Sequence, residues 1–394
     1  MKKMVFTGTD NVNHAMPKQI GDYNKNQMLS ILREKGLTSR GELSRLLGIS
    51  PTAVTKNTVK LIQNGIVREC GAEQSNMGRK PILMELCGDF CYVLGADIVG
   101  GAIKVALADF MGRIVNYYEE SVKQIKSGPA VLEQLIAALQ SIITESGVPK
   151  DRIWAAIIGT SGVFDPGAGK SRFAYFLKDW EDIDIRKKVF DSISIETYIE
   201  NDAKLDLIGE RWKGACKEFD SILYVKLGQG LTTRFILEKK LISGEHNTAG
   251  EIGYMLPGIS YKGGDNYEDI LCNSAICRKY TELGGSGKAN TISDIYTHAS
   301  NGDGTARGVI SYLLDKFAVV LLNMVAVLDP EVIILGGDAA CFGERETALL
   351  KQYIEQRLPL VQNIIPSKLR KNACLYGAIK MGLDHVEERI TNVW

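Results

Sequence analysis

FCYVLGADIVGGAIKVALADFMGRIVNYYEESV, residues Phe90 to Val122, decides the architecture of this chain. It holds three consecutive strand-like runs, FCYVLGADI, AIKVALADF and GRIVNYYEESV, broken at Gly100-Gly101 and at Met111-Gly112. Glycines so placed end one strand and turn the chain into the next. Helical spacing follows over Ala130–Ser146, and then a buried strand, IWAAIIG. The order recurs loosely downstream. ISIETYIE leads into a helix, AKLDLIGERWKG; SILYVKL and TRFILEKKLI make a hairpin; a long apolar helix, Ala306–Leu328, precedes the strand EVIILGG. Pattern alone therefore predicts a mixed α/β body in which a βββαβα unit is used twice.

Ahead of Cys87 the pattern is different. NQMLSILREKG places Met28, Leu29, Ile31 and Leu32 at helical spacing and stops at Gly36. In SRGELSRLLG, Ser39 and Glu42 have the spacing of a capping box, and Leu43, Leu46 and Leu47 form the apolar stripe. A third helix opens at Ser50 with Pro51 in its first turn and ends at Gly65. Strands at Ile66–Cys70 and Pro81–Leu86, joined by GAEQSNMGRK, make a two-stranded wing. Together these are a winged helix-turn-helix. Thr52, Thr55 and Lys56 lie on the third helix's outer face, able to approach bases and backbone; Arg40 and the wing-tip pair Arg79 and Lys80 add cations for phosphates. Charge agrees. Residues 1–82 carry 13 Lys/Arg against 6 Asp/Glu, whereas the remainder carries 34 against 41. A basic head on an acidic body points to operator DNA as the head's partner, bound by two copies of the chain.

At 394 residues the chain suits two or three domains. Its eight cysteines show no paired CxxC spacing, which fits free thiols in a reducing compartment. No apolar run reaches the ~18–20 residues of a membrane span. The first 24 residues lack a signal peptide's apolar stretch. The expectation is a cytoplasmic protein with no membrane partner.

Five segments of the body, in order, resemble those of the ROK family (repressors, open reading frames, kinases): LGADIVGGAIKVALADFMG, GTSGVFDPGAG, ENDAKLDLIGE, AGEIGYM and LDPEVIILGG. The head ending in GRKPILMEL resembles the helix-turn-helix of that family's transcription factors. The resemblance spans about residues 24–385 and implies a two-lobed, actin-like (ribonuclease H-like) sugar-kinase fold behind the head. The expected domains are an N-terminal arm over 1–22, the winged head over 23–86, one lobe over 87–200 and a second over 201–376. A C-terminal helix, 377–390, is expected to return to the first lobe.

The resemblance also implies a sugar-type ligand site in the cleft, formed by Asn201, Asp202, Glu251, Tyr254 and Glu268. Carboxylates and an amide suit a polyol, because a carboxylate accepts from vicinal hydroxyls. Asp202 matches the kinase base and is also placed to cap the following helix. The phosphate loops depart from the family's pattern. DxGGT is Asp97-Ile98-Val99-Gly100-Gly101, with β-branched Val99 where backbone must approach phosphate. GTGIGxG is GQGLTTR, with Thr232 and Thr233 at glycine-type positions and Arg234 as the one possible compensating cation. Tyr254 replaces the family's zinc-site histidine, and no cysteine lies between Cys216 and Cys272, so neither zinc nor another cofactor is expected. The sequence reading is a sugar-responsive DNA-binding regulator with a degenerate kinase body and no catalytic residues, assembled as a dimer or dimer of dimers. The alternative is an ATP-dependent sugar kinase carrying a DNA-binding head.

Overall fold

A computed structural model of the chain describes residues 17–72, 81–98, 101–121, 127–165, 170–172, 179–258, 266–358 and 362–393. The head comprises α1 (Pro17–Lys35), β1 (Thr38–Ser39), α2 (Arg40–Leu47), α3 (Pro51–Gln63), β2 (Val67–Ala72) and β3 (Ile82–Leu86). Local chemistry sets its helix ends. Ser39 Oγ accepts from Glu42 N at 3.2 Å, but the Glu42 carboxylate turns to Lys35 rather than back to the cap, so the capping box is half made. Gly48 ends α2 at φ 65°, a left-handed conformation that glycine adopts without strain. Ser50 caps α3, with Pro51 in its first turn.

Two expectations for the head are corrected. α1 is already helical at Pro17, so residues 17–22 belong to it and not to an arm; Gly21, costly inside a helix, hid that continuity. The wing sheet has three strands in the order β1-β3-β2, because Thr38 and Ser39 pair with Met84 and Leu83. A two-residue strand has no periodicity to read. Arg79 and Lys80 lie outside the described residues.

The body has two sheets of the same topology. The first runs β10-β7-β4-β5-β6, from β4 (Tyr92–Asp97), β5 (Ala102–Asp109), β6 (Ile114–Ser121), β7 (Ile153–Thr160) and β10 (Thr197–Asn201). The short pair β8 (Val163–Asp165) and β9 (Lys170–Arg172) stands apart from it, and α4 (Gly128–Glu145) and α5 (Ile185–Ile193) make the crossovers. After α6 (Asp202–Lys213), the second sheet runs β13-β12-β11-β14-β15, from β11 (Ile222–Leu227), β12 (Leu231–Leu237), β13 (Lys240–Ile242), β14 (Val332–Gly337) and β15 (Asn363–Pro366). In each, an antiparallel meander is followed by two parallel strands, the arrangement of a duplicated unit. β13 was hidden in sequence because Glu238 and Lys239 make the turn at φ 49° and 68° without a glycine.

Helices α7 (Tyr267–Leu271), α8 (Asn273–Glu282), α9 (Ile292–Ser300), α10 (Gly304–Leu328) and α11 (Glu344–Glu355) cover the second sheet. α10 is long and apolar enough to cross a membrane by length and composition, contrary to the sequence reading, yet more than half of its apolar stretch is buried inside the protein. The last helix, α12 (Ala373–Val393), lies on β4, β5 and β7 and crosses α6. That crossing is glycine-made. A Cβ at Gly209 would overlap the Ala373 carbonyl, and one at Gly377 would overlap the Leu205 carbonyl.

Candidate ligand cleft and DNA-facing helix

Two of the residues assigned to the cleft meet at the seam between β10 and α6. Asn201 ends β10 and Asp202 begins α6, at the carboxyl edge of parallel strands where α/β folds place ligands. The helix cap is Asn201 rather than Asp202: its Oδ1 accepts from Lys204 N at 3.0 Å, and its Nδ2 donates to the Gly162 carbonyl at 2.9 Å and to Asp202 Oδ1 at 3.3 Å. Asp202 is thereby free of the cap, but it has another partner. Lys226 Nζ, from β11, lies 2.6 Å from Asp202 Oδ2 and 2.7 Å from Asp206 Oδ2.

Lys226 and Asp206 were not foreseen, and their neighbour Asp97 entered the sequence reading only as the first residue of the first phosphate loop. The signal was present: ILYVKL buries a lysine in an apolar strand, and Asp202 and Asp206 fall one helical turn apart on its partner helix. Burial alone would lower the Lys226 pKa, but Asp202 and Asp206 outweigh it and drive it well above the ordinary lysine range. Burial raises Asp206 despite the ammonium beside it. Asp97, at the end of β4, is raised to about 7, by burial first and then by Asp206 and Asp202. Val99 and Gly100, on which the reading of the first phosphate loop rested, lie outside the described residues.

The second group sits on β12 and the turn after β13. Arg234 is 3% exposed, and its guanidinium donates to Glu251 Oε1 at 2.6 Å, to the Thr233 carbonyl at 2.6 Å and to Thr232 Oγ1 at 3.0 Å. It is therefore committed to the Glu251 carboxylate and is not available as a phosphate cation, which corrects the compensating role allowed for it above. Thr233 N donates to the Gly250 carbonyl at 2.7 Å, and both threonine hydroxyls point to the same oxygen. Glu268 Oε2 accepts from Leu231 N at 3.1 Å; burial raises its pKa, and the charge of nearby Glu251 adds to the rise. Tyr254, in the same turn as Glu251, is 46% exposed.

The turn between β11 and β12 bonds inward. Gly228 N donates to the Gly230 carbonyl, and Asn273 N donates to the Gly228 carbonyl. Carboxylates line it: a Cβ at Gly228 would lie 3.1 Å from Asp338 Oδ2, and one at Gly230 would lie 2.9 Å from Glu268 Oε2. Asp338 is held there by Asn273 Nδ2 at 2.8 Å and Ser293 Oγ at 2.7 Å. Gly336 and Gly337, at the end of β14, allow close packing: a Cβ at either would overlap Tyr224 or the Leu227 carbonyl. Among the described residues, no group of three or more His, Cys, Asp or Glu is arranged to hold a metal ion.

On the head, Thr52, Thr55, Lys56 and Lys60 are exposed along α3, while Val54, Thr58 and Leu61 face inward. Arg40 stands differently. Its Nε donates to Thr58 Oγ1 at 3.0 Å and a terminal nitrogen pairs with Glu69 at 2.7 Å, so it braces α3 against β2. One apolar cluster joins head and body. It includes Met28, Leu29, Leu32, Leu43 and Val54 from the head, Phe110 and Ala155 from the first lobe, and Leu375, Ile379 and Val386 from α12. At its edge Arg33 of α1 forms a buried ion pair with Glu387 of α12.

A ROK family model matches residues 93–384, and a winged helix-turn-helix DNA-binding model matches residues 22–68. A xylose repressor of Caldicellulosiruptor bescii is 26% identical over 94% of this chain and 96% of its own. A glucokinase of Halalkalibacterium halodurans is 24% identical over 67% of this chain and 85% of its own. Among solved structures, a ROK family transcriptional regulator homologous to the E. coli MLC protein superposes with a TM-score of 0.75 at 19% identity, over 94% of this chain and 98% of that one.

Proposed function

This chain belongs to the ROK family, and from that premise we propose that it is a transcriptional repressor whose DNA affinity is set by a sugar or sugar derivative in the cleft. The winged head binds operator DNA through Thr52, Thr55 and Lys56 of α3. Asp202, Glu251 and Glu268 accept hydroxyls of the effector, with Asn201 positioning Asp202 and Tyr254 at the rim. D-Xylose is the first candidate, since full-length relatives bear the name xylose repressor. The protein acts in the cytoplasm as a dimer or dimer of dimers, needs no zinc or other cofactor, and does not transfer phosphate.

The observation that carries this reading is mechanical continuity. Asp202 opens α6; α6 crosses α12 through Gly209 and Gly377 with no slack; α12 shares a core and a buried ion pair with α1 of the head. Closure of the lobes on a ligand that moves α6 therefore moves the head, and differential affinity for the two states becomes differential affinity for DNA. Couplings of this kind amount to about 5–150-fold in affinity. The test is selection of an operator from genomic fragments, followed by binding titrations against a sugar panel. At least one sugar should shift the affinity by about fivefold or more; a flat panel refutes the sensor.

The retained Asp202 favours a second reading, a sugar kinase with a DNA-binding head. It predicts sugar-dependent ADP release from ATP and magnesium, abolished in Asp202→Asn.

A further inference from the structure

We propose that Lys226 and Arg234 have turned the β11–β12 hairpin, where a kinase relative would hold nucleotide phosphates, into a brace that fixes two of the three acceptor carboxylates, Asp202 and Glu251, so that the cleft takes a neutral polyol and refuses a triphosphate. The inference rests on the reading of the cleft as a sugar site and adds to it the residues that set the ligand's chemical class.

The register places the brace. Tyr224 pairs with Arg234 and Lys226 with Thr232, so all four side chains project from one face of the hairpin, the face turned to α6. Each cation on that face holds one acceptor: Lys226 holds Asp202 at 2.6 Å, and Arg234 holds Glu251 at 2.6 Å. Both are charge-assisted contacts between side chains that are mostly buried, the geometry in which such bonds are strongest. Asp202 and Glu251 are thus held in fixed orientations by the two cations. The Lys226 ammonium lies against Asp202 Oδ2, so a substrate hydroxyl would have to compete with it for that oxygen, poor geometry for a general base.

The remaining contacts exclude the nucleotide. The atoms nearest to a side chain placed at Gly228 or Gly230 belong to the carboxylates of Asp338 and Glu268. Its Leu231 N–H, which would serve a phosphate oxygen, is already given to Glu268. A triphosphate placed there would meet two carboxylates in place of donors. Lys226 and Arg234 are accordingly positioning residues, not catalytic ones.

The test is calorimetric titration of the full-length protein with D-xylose, and separately with magnesium AMP-PNP, between pH 6 and pH 8.5. The wild type should bind xylose and give no heat with AMP-PNP. Lys226→Met should bind xylose about tenfold or more weakly at pH 8 and recover as the pH falls, because one proton then replaces the ammonium between Asp202 and Asp206. The groups facing that position are Asp97 of β4, Asp202 and Asp206 of α6, Tyr224 of β11 and Cys374 of α12. Lys226→Arg should restore affinity at pH 8. Unchanged, pH-independent affinity in Lys226→Met overturns the brace, as does AMP-PNP binding to the wild type. Should the wild type bind neither xylose nor any sugar of a wider panel, the sugar reading fails, and melting temperatures decide the brace. Lys226→Met combined with Asp202→Asn must then lose less than the sum of the single losses; additive losses overturn it.

Discussion

Replacing Arg33 with Met cuts the polar tie between head and body, and its effect can be worked from the structure. The Arg33 and Glu387 side chains are 4% and 9% exposed, so removing the guanidinium strands a buried carboxylate. Breaking such a pair costs about 3–5 kcal/mol. The same change removes the Arg33 Nε donor from the Phe110 carbonyl, 3.1 Å away, worth about 1 kcal/mol more. Burial already holds the Glu387 carboxyl above its ordinary value even with Arg33 beside it, and without Arg33 it climbs further. A folded-state pKa above the unfolded one means the folded protein holds that proton more tightly. The deficit is therefore smallest in acid and grows as pH rises through the folded pKa. Urea unfolding at pH 5.5 and pH 8, followed by indole fluorescence and by helical circular dichroism, reads both effects. Trp180 sits in the first lobe's own core, while Trp154 and Trp212 pack against the cluster shared with the head, so fluorescence follows the body and its junction rather than the head's helices. In the wild type the two signals should coincide. In Arg33→Met, helix should be lost ahead of fluorescence, more so at pH 8. A second change, Glu387→Leu, should recover most of the loss, because an apolar pair of similar volume often replaces a buried ion pair without penalty. Coincident transitions with a deficit below about 1 kcal/mol would refute the reasoning, since that is what an exposed pair contributes.

Three further outcomes follow from named contacts. Asp97, held at about 7 by burial, contributes stability in acid that is lost as pH rises through about 7; Asp97→Asn should flatten the fall in melting temperature between pH 5 and pH 8, and an unchanged slope would exclude Asp97 as its source. Gly209→Ala drives a methyl into the Ala373 carbonyl, a backbone atom that cannot swing aside, so calorimetry should show a loss at or above the usual ~1–3 kcal/mol of overpacking; wild-type stability would mean that α6 and α12 are not tightly apposed. Lys56→Ala should weaken DNA binding across sequences and lower the slope of log affinity against log salt by about 1, whereas Arg40→Ala, which loses the Glu69 pair, should lower the melting temperature more than the salt slope.

The repeated βββαβα pattern and the helix-turn-helix were legible because they rest on local periodicity and caps: Ser39, Gly48, Ser50 and Pro51 all act within one turn of themselves. Elements with no local signature were not. β1 exists only through its pairing with β3, β13 hides behind a turn without glycine, and the early start of α1 is masked by Gly21. Among the residues assigned to the cleft, motif similarity named the carboxylates but not the cations that hold them. Lys226 and Arg234 were visible as charges in apolar strands, yet their partners lie on α6 and on the Gly250–Glu251 turn, at separations that only the tertiary fold closes. Asn201 rather than Asp202 caps α6 for the same kind of reason: a one-residue difference in where the strand ends decides which side chain caps the helix and which is left to pair with Lys226.

In the proposed regulator, occupancy of this cleft changes the affinity of the head for DNA. Fluorescence anisotropy of a labelled operator, titrated with D-xylose and then with other sugars, measures it in the wild type and in Glu251→Gln, which keeps the shape of an acceptor held by Arg234 but removes its charge. The two proteins should bind the operator equally without sugar, one sugar should shift the wild-type affinity by at least about fivefold, and the same shift in the variant should require a higher concentration. A wild-type affinity indifferent to every sugar, or a sugar response identical in the two proteins, would contradict that coupling.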